Sequence, residues 1–452
     1  MTIMRNSNVC VNRGYIRLKA GVLGLITVVC ASSASAQSLN SSVQAALNTF
    51  PEIQVARHLR EAIKNDLDVA KSKYYPTIDL ELAYGREWSD NSSTRAAGYR
   101  TVTLDRQESG LRMREILFNG YEREGFIEEQ KAKLRGSEHH IGDRGEVIAA
   151  DVSFAYVDVV RHKEILGLAK ENLKVHKKIL DNVKKRVDGG QLGVGDLQQA
   201  RSRLSSAKAR IAEVKKDLDK ARILFNRMVG RMPKNVSRPK FNDARLPRSI
   251  NAAVKMAMDN NPNIKKFQAD LEAAKALTRV AKSGKYPNFF LEFGGTHNDN
   301  IDGTRGRDYD MSLMLRMQWN LYRGGADDAK KKAAAARHSQ RMSQVALTRR
   351  NIEQEVRRAW SDMIRKDDEV KSRSAQVKSN KEVTETYKEE FKVGQRDLLD
   401  VLDAENEQFS SKVKYVSAQN SALYARYLLM ATTGKLRQML GVSTTLEIAQ
   451  NN

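Results

Sequence analysis

One arginine and three carboxylates fall within eleven residues near the end of the chain, in Gly394-Gln395-Arg396-Asp397-Leu398-Leu399-Asp400-Val401-Leu402-Asp403-Ala404. No paired-carboxylate, Ser/His/Asp or metal-spaced cluster accompanies them, so neither catalysis nor a bound metal or organic cofactor is expected. His162 and His176 lie on an apolar helical seam and read as packed core histidines rather than ligands. Asp196 and Asp397 each follow a glycine-containing turn just before an apolar seam restarts, so both could serve as helix N-caps.

The elements that must carry these residues are long helices. From Ile148 through Val152, Ala155, Val159, His162 and onward to Val187, apolar positions recur at alternating steps of four and three, a heptad rhythm. After Gly189-Gly190-Gln191-Leu192-Gly193-Val194-Gly195 the rhythm restarts at Leu197 and runs to Met228. Two matching seams joined by a short turn predict an antiparallel coiled-coil hairpin with left-handed supercoil. Only seven prolines occur among 452 residues, none between 88 and 232 or beyond 287, which leaves long tracts free for regular structure.

Residues 1–36 read as a separate secretory signal peptide: a basic start with Arg5, Arg13, Arg17 and Lys19, an apolar run Ala20 to Cys30, and Ala34-Ser35-Ala36 for cleavage. Val28-Val29 precedes Cys30 where a lipoprotein would carry a small residue, so lipidation is not expected. Both cysteines, Cys10 and Cys30, fall inside this segment, leaving the mature chain without a thiol. No run of eighteen apolar residues follows, so a membrane crossing would have to be a β-barrel. The formal charge of +23 drops to +19 once those four cations are removed. Nucleic acid is not the expected partner, because Lys and Arg are scattered among Asp and Glu on helix surfaces of an exported protein.

The chain is one unit written twice. At an offset of 211, Pro51 meets Pro262, Val69-Ala70-Lys71-Ser72 meets Val280-Ala281-Lys282-Ser283, and Tyr75-Pro76 meets Tyr286-Pro287. From Leu111 the offset is 204: Gly120 meets Gly324, Val152 meets Val356, Gly190 meets Gly394, and Asp196 meets Asp400. The seven-residue change falls between about 83 and 110, the expected place of a surface loop. The expected divisions are 1–36, a first repeat 37–230, a proline-bearing linker 231–248, a second repeat 249–434 and a tail 435–452. Each repeat should hold a helix of about 41–71 (252–282) interrupted near its start by proline, two strands, and a long helical hairpin.

The strands alternate, as in Met311, Leu313, Leu315, Met317, Trp319 and Leu321 against Ser312, Met314, Arg316, Gln318 and Asn320. Charges such as Asp79, Glu81, Glu292 and Arg316 share one face, suiting a wet lumen, and Tyr75, Tyr286, Trp319 and Tyr322 sit at strand ends, where an interfacial girdle would lie. Four strands cannot close a barrel, since about eight are needed. Several chains must therefore combine, and a cyclic trimer would give twelve strands. The fold class is thus mainly α with β: long antiparallel coiled-coil helices forming an α-barrel, with four strands per chain contributing to a trimeric transmembrane barrel. Tyr121 to Asp188 would reach roughly 100 Å, long enough to cross a periplasm.

The tandem repeat, the Tyr-Pro strand entry, Leu117-Phe118-Asn119-Gly120 with Leu321-Tyr322-Arg323-Gly324, and above all Gly394 to Ala404 resemble the TolC family of outer-membrane channel proteins. The resemblance covers the mature chain. It implies a passive homotrimeric exit duct in the outer membrane, in contact with its lipid and extending into the periplasm. It also implies docking by a periplasmic adaptor and an inner-membrane pump or ABC transporter, for drug efflux or type I secretion. By motif match, Asp400 and Asp403 take the acidic constriction ring, Arg396 the arginine that ties closed helices, and Asp196 its acceptor. Three-fold symmetry would gather the carboxylates on an axis, where they select against anions. Phe391 stands where a tyrosine could bond the acidic partner and Gly195 where a hydroxyl would accept from arginine, which implies a weaker latch. The competing expectation is a periplasmic coiled-coil scaffold without a barrel.

Overall fold

A computed structural model describes residues 37–443. The expected signal peptide and both cysteines lie outside the described residues. Within them the order is α1 (Leu39–Thr49), α2 (Pro51–Ser72), β1 (Thr77–Ser89), α3 (Ser92–Ala96), β2 (Val102–Phe118), α4 (Glu122–Asp188) and α5 (Val194–Val229). There follow α6 (Ile250–Asn260), α7 (Pro262–Val280), β3 (Asn288–Asp299), β4 (Arg307–Gln318), α8 (Ala326–Lys392), α9 (Leu398–Thr432) and a short α10 (Leu436–Leu440).

The prolines near the repeat starts join two helices rather than kink one. Ser38 caps α1 by accepting from the Ser41 N–H at 3.1 Å, and Pro51 then opens α2 at a position whose N–H needs no partner. The second copy repeats the device, with Ser249 capping α6 and Asn261 accepting from the Asn263 N–H ahead of Pro262.

Helices α4 and α8 each run 67 residues, about 100 Å at 1.5 Å per residue. Their far halves fold against α5 and α9 as antiparallel hairpins; in the near halves α2, α4, α7 and α8 pack side by side in that order. Glycines in α4 allow its closest approaches. A Cβ on Gly125 would lie 2.7 Å from the Val280 side chain, and one on Gly145 would lie 2.9 Å from Cδ of Arg437 in α10. The largest core gathers where α1, α4, α5, α9 and α10 meet, around Val43, Leu47, Ile148, Tyr156, Phe225 and Leu436. Each such side chain contributes roughly 1.5–3 kcal/mol by leaving water. The buried Tyr156 hydroxyl donates to the carbonyls of Gln37 at 2.7 Å and Ser237 at 3.1 Å, tying the inter-repeat link to α4.

The four strands form one antiparallel sheet in the order β1-β2-β3-β4. β4 ends at Gln318, opposite Asn288, so Trp319 and Leu321 lie beyond the ladder although their alternation continues it. The pairing partner sets the limit, because Tyr286-Pro287 precedes the first residue of β3.

Candidate gate and membrane-facing sheet

Register assigns the two faces of the sheet. Ile78↔Met113, Leu80↔Leu111, Met113↔Phe293, Phe293↔Leu313 and Leu291↔Leu315 share one face. That face is bare: Ile78, Leu80, Leu82, Met311, Leu313 and Leu315 are all more than three-fifths exposed. An apolar area of this kind needs a covering. The opposite face carries charges matched across strands, with Arg112 facing Glu81 at 3.6 Å, Arg106 facing Glu87 at 2.7 Å, and Arg316 paired with Glu292.

At the helix-side end of the sheet a bulge at Leu117 brings Phe118 opposite Phe289. Phe118 thereby joins Tyr121 and Tyr286 in an edge-to-face cluster with centroids 5.3 to 6.4 Å apart. Gly120 closes this corner at φ +67°, where a Cβ would meet the Ser283 carbonyl at 2.6 Å. Of the four expected girdle residues, Tyr286 sits in the cluster, while Tyr75, Trp319 and Tyr322 stay exposed at the same end.

The far ends of the hairpins carry the expected gate residues. They converge on a small core of Val183 from α4, Ala200 from α5, and Leu398 and Leu402 from α9, with Leu180, Val187, Leu197 and Phe391 packed around it. Asp400 and Asp403 sit on α9 above Leu402, both substantially exposed.

Within a protomer, Arg396 and Asp196 are not brought together. Arg396 donates to Glu390 at 2.9 Å and to Asp400 at 3.5 Å, with its guanidinium 4.0 Å from the Tyr387 ring centroid. The hydrogen bond to Glu390 is the main reason its pKa lies above the ordinary arginine value. Gly193, not Asp196, is the N-cap of α5; Asp196 is the third residue of the helix, and its carboxylate reaches back to accept from the Gly193 N–H at 3.1 Å, as the acidic member of a capping box does. Asp403 is engaged instead by Arg203 of α5.

Sequence reasoning missed several residues here. Arg186 reaches from the last turn of α4 to the carbonyls of Phe391 at 3.3 Å and Lys392 at 3.1 Å, its guanidinium 4.9 Å from the Phe391 ring centroid. Lys388 of α8 pairs with the buried Glu405 of α9, and the neighbouring buried Thr384 hydroxyl, 2.7 Å from the Asn380 carbonyl of its own helix, lies 3.1 Å from the Ala404 carbonyl of α9. The Arg186 contacts link residues some 200 positions apart in sequence, beyond the reach of any local pattern, whereas Lys388–Glu405 and Thr384–Ala404 lie across the turn that joins α8 to α9. Only Phe391 carried a signal, through its departure from the expected tyrosine. Among the described residues no three His, Cys, Asp or Glu side chains gather as a metal would require, and no helix is long and apolar enough to cross a membrane.

Residues 42–231 and 253–435 match the family described as outer membrane efflux protein. Among curated relatives, the outer membrane efflux protein BepC of Brucella suis is 23% identical over 418 residues, covering 92% of this chain and 90% of that protein. Outer membrane protein TolC of Escherichia coli is 20% identical over 434 residues, covering 92% and 86%. Among solved structures, the Campylobacter jejuni CmeC outer membrane channel superposes with a TM-score of 0.76 at 16% identity, over 91% of this chain and 88% of that one.

Proposed function

Because the chain belongs to the outer membrane efflux protein family, we propose that three copies close into a single passive exit duct with an acidic gate at its periplasmic end. The observation that carries this is the sheet: four strands, unpaired outer edges on β1 and β4, and one exposed face that is apolar through its middle, with Glu115 and the Arg86–Asp105 pair toward its ends. Three such sheets joined edge to edge give twelve strands with no free edge left, apolar outside and charged within. The helical layer is consistent with the same closure. Its row begins at α2 and ends at α8, and both terminal helices expose apolar residues, Val55 and Val69 on one and Met342 and Leu347 on the other.

The mature unit begins at Gln37 after loss of 1–36, and consists of repeats 37–230 and 249–434, the linker 231–248 and the tail from 435. Tyr75, Tyr286, Trp319 and Tyr322 mark the membrane boundary nearest the helices. At the opposite end, Val194 and Val393 expose apolar side chains on the two hairpin tips, a surface suited to a periplasmic adaptor that couples the duct to an inner-membrane pump or ABC transporter. Asp400 and Asp403 supply the constriction, and cargo is set by the pump that feeds the duct.

Outer-membrane fractionation tests the reading. A detergent-extracted trimer that shifts to the monomer position on heating is expected; a monomer released in the soluble periplasmic fraction would instead identify a coiled-coil scaffold without a barrel.

A further inference from the structure

The closed-state contact implied by resemblance, Arg396 to Asp196, has neither partner free within the protomer: Arg396 lies between Glu390 and Asp400, and Asp196 reaches back to the N-cap of its own helix. Two other arginines do cross between hairpins. Arg186 ends α4 and binds the last carbonyls of α8, which lack partners inside their own helix and form its negative pole. Its guanidinium also lies over Phe391, so the ring takes up a cation where no hydroxyl is present. Arg203 leaves α5 and pairs with Asp403 on α9. Between the two lies the apolar patch of Val183, Ala200, Leu398 and Leu402, which keeps the hairpins in register beneath the charges.

We propose that closure in this chain is carried by an arginine clasp inside each protomer, Arg186 and Arg203 of the first hairpin holding the second, and that Arg203 masks Asp403 so that Asp400 supplies the resting charge of the ring. The charges support this division. Arg203 and Asp403 form a neutral pair, whereas the single Arg396 is shared by Glu390 and Asp400, leaving one negative charge per protomer at that level. Releasing the clasp therefore does two things together: it frees the second hairpin to swing and exposes a further carboxylate to the pore. The proposal rests on the gate reading given above and makes Arg203 a selectivity-determining residue.

Single-channel recording of purified trimers in planar bilayers tests it. Arg203→Ala is expected to raise basal conductance at least twofold and to lower severalfold the concentration of trivalent hexamminecobalt that half-blocks the pore. The gain in block is lost in Arg203→Ala with Asp403→Ala. Arg186→Ala should raise conductance with no change in block, and Arg203→Asp with Asp403→Arg should return conductance to the wild-type level. Heat-modifiable trimer on gels verifies assembly of every variant, and Arg203→Gln serves if the alanine variant does not assemble. Conductance and block both at wild-type values in Arg203→Ala or Arg203→Gln would overturn the clasp. Wild-type block in Asp400→Ala with Asp403→Ala would instead overturn the gate reading, so the two failures are separable.

Discussion

Arg396 donates through Nε to Glu390 at 2.9 Å, six residues earlier across the same turn, and rests on the Tyr387 ring. It is therefore a staple of the tip of the second hairpin itself, holding the end of α8 against the start of α9. Exposed pairs of this sort are worth about 0.2–1 kcal/mol, so Arg396→Ser should hardly change the heat stability of the trimer. Basal conductance in planar bilayers should nevertheless rise, because the turn that carries Asp400 loosens. A conductance equal to wild type would remove Arg396 from the gate.

On the proposed reading the ionic preference is set by Asp400, which Arg396 contacts, and Asp403, which Arg203 contacts. Asp400→Ala together with Asp403→Ala should lower cation selectivity, read as a reversal potential in a salt gradient, and should weaken block by multivalent cations. Rising ionic strength should mask the difference, since charges in a water-filled constriction are screened over about 8 Å at physiological salt. An unchanged reversal potential at low salt would place the constriction elsewhere on α9.

The two faces of the sheet predict opposite tolerances. Leu313 points to the apolar side and its chain neighbour Ser312 to the charged side. Leu313→Arg should cost about 2–4 kcal/mol if it lies near the bilayer midplane, seen as loss of trimer from the outer membrane, whereas Ser312→Arg should assemble normally. Equal yields of the two would mean that the apolar face does not meet lipid.

How far this could be read from sequence depends on the range of the interaction. The strands were legible because alternation is local; the overshoot to Trp319 and Leu321 arose because a strand ends where its partner does, and β3 starts only at Asn288. The hairpins were legible because a heptad seam states its own geometry. The clasp was not. Arg186 and Arg203 look like ordinary solvated helix cations, and their partners lie about 200 residues away. Gly136, Gly142 and Gly145 were an unread signal: each costs about 1 kcal/mol relative to alanine inside a helix, and in the fold they mark where α7 and α10 come close.

His176, buried on α4, is held below its ordinary pKa by desolvation, with Glu405 of α9 pulling it up and Arg203 of α5 pushing it down. A histidine with a depressed folded pKa contributes stability that is present above about pH 6.5, its unfolded value, and is lost as pH falls toward the folded one. His176→Leu should therefore flatten the decline in trimer melting temperature between pH 7 and 5. The same decline in the variant would assign the acid sensitivity to other groups.

Glu146 anchors the last helix. Its carboxylate accepts from the backbone N–H of Leu436 at 3.0 Å and of Arg437 at 3.4 Å, and pairs with the Arg437 guanidinium at 3.2 Å across the trough left by Gly142 and Gly145. Burial outweighs these donors and raises its pKa from 4.5 to about 7. The folded protein thus holds a proton there that the unfolded chain releases, so this group's contribution falls as pH climbs from about 4.5 to 7, by about 3 kcal/mol at 1.36 kcal/mol per unit. Glu146→Gln, which resembles the protonated acid, should remove that slope and lower stability chiefly above about pH 7, where the wild type sets an ionised carboxylate against Arg437. Gly145→Val tests the trough independently: its side chain would strike Arg437 and release α10, which limited proteolysis would report as earlier cleavage beyond Thr433. A parallel pH profile in Glu146→Gln, or undiminished protection in Gly145→Val, would show that α10 is held by the apolar contacts of Leu436 and Leu440 alone.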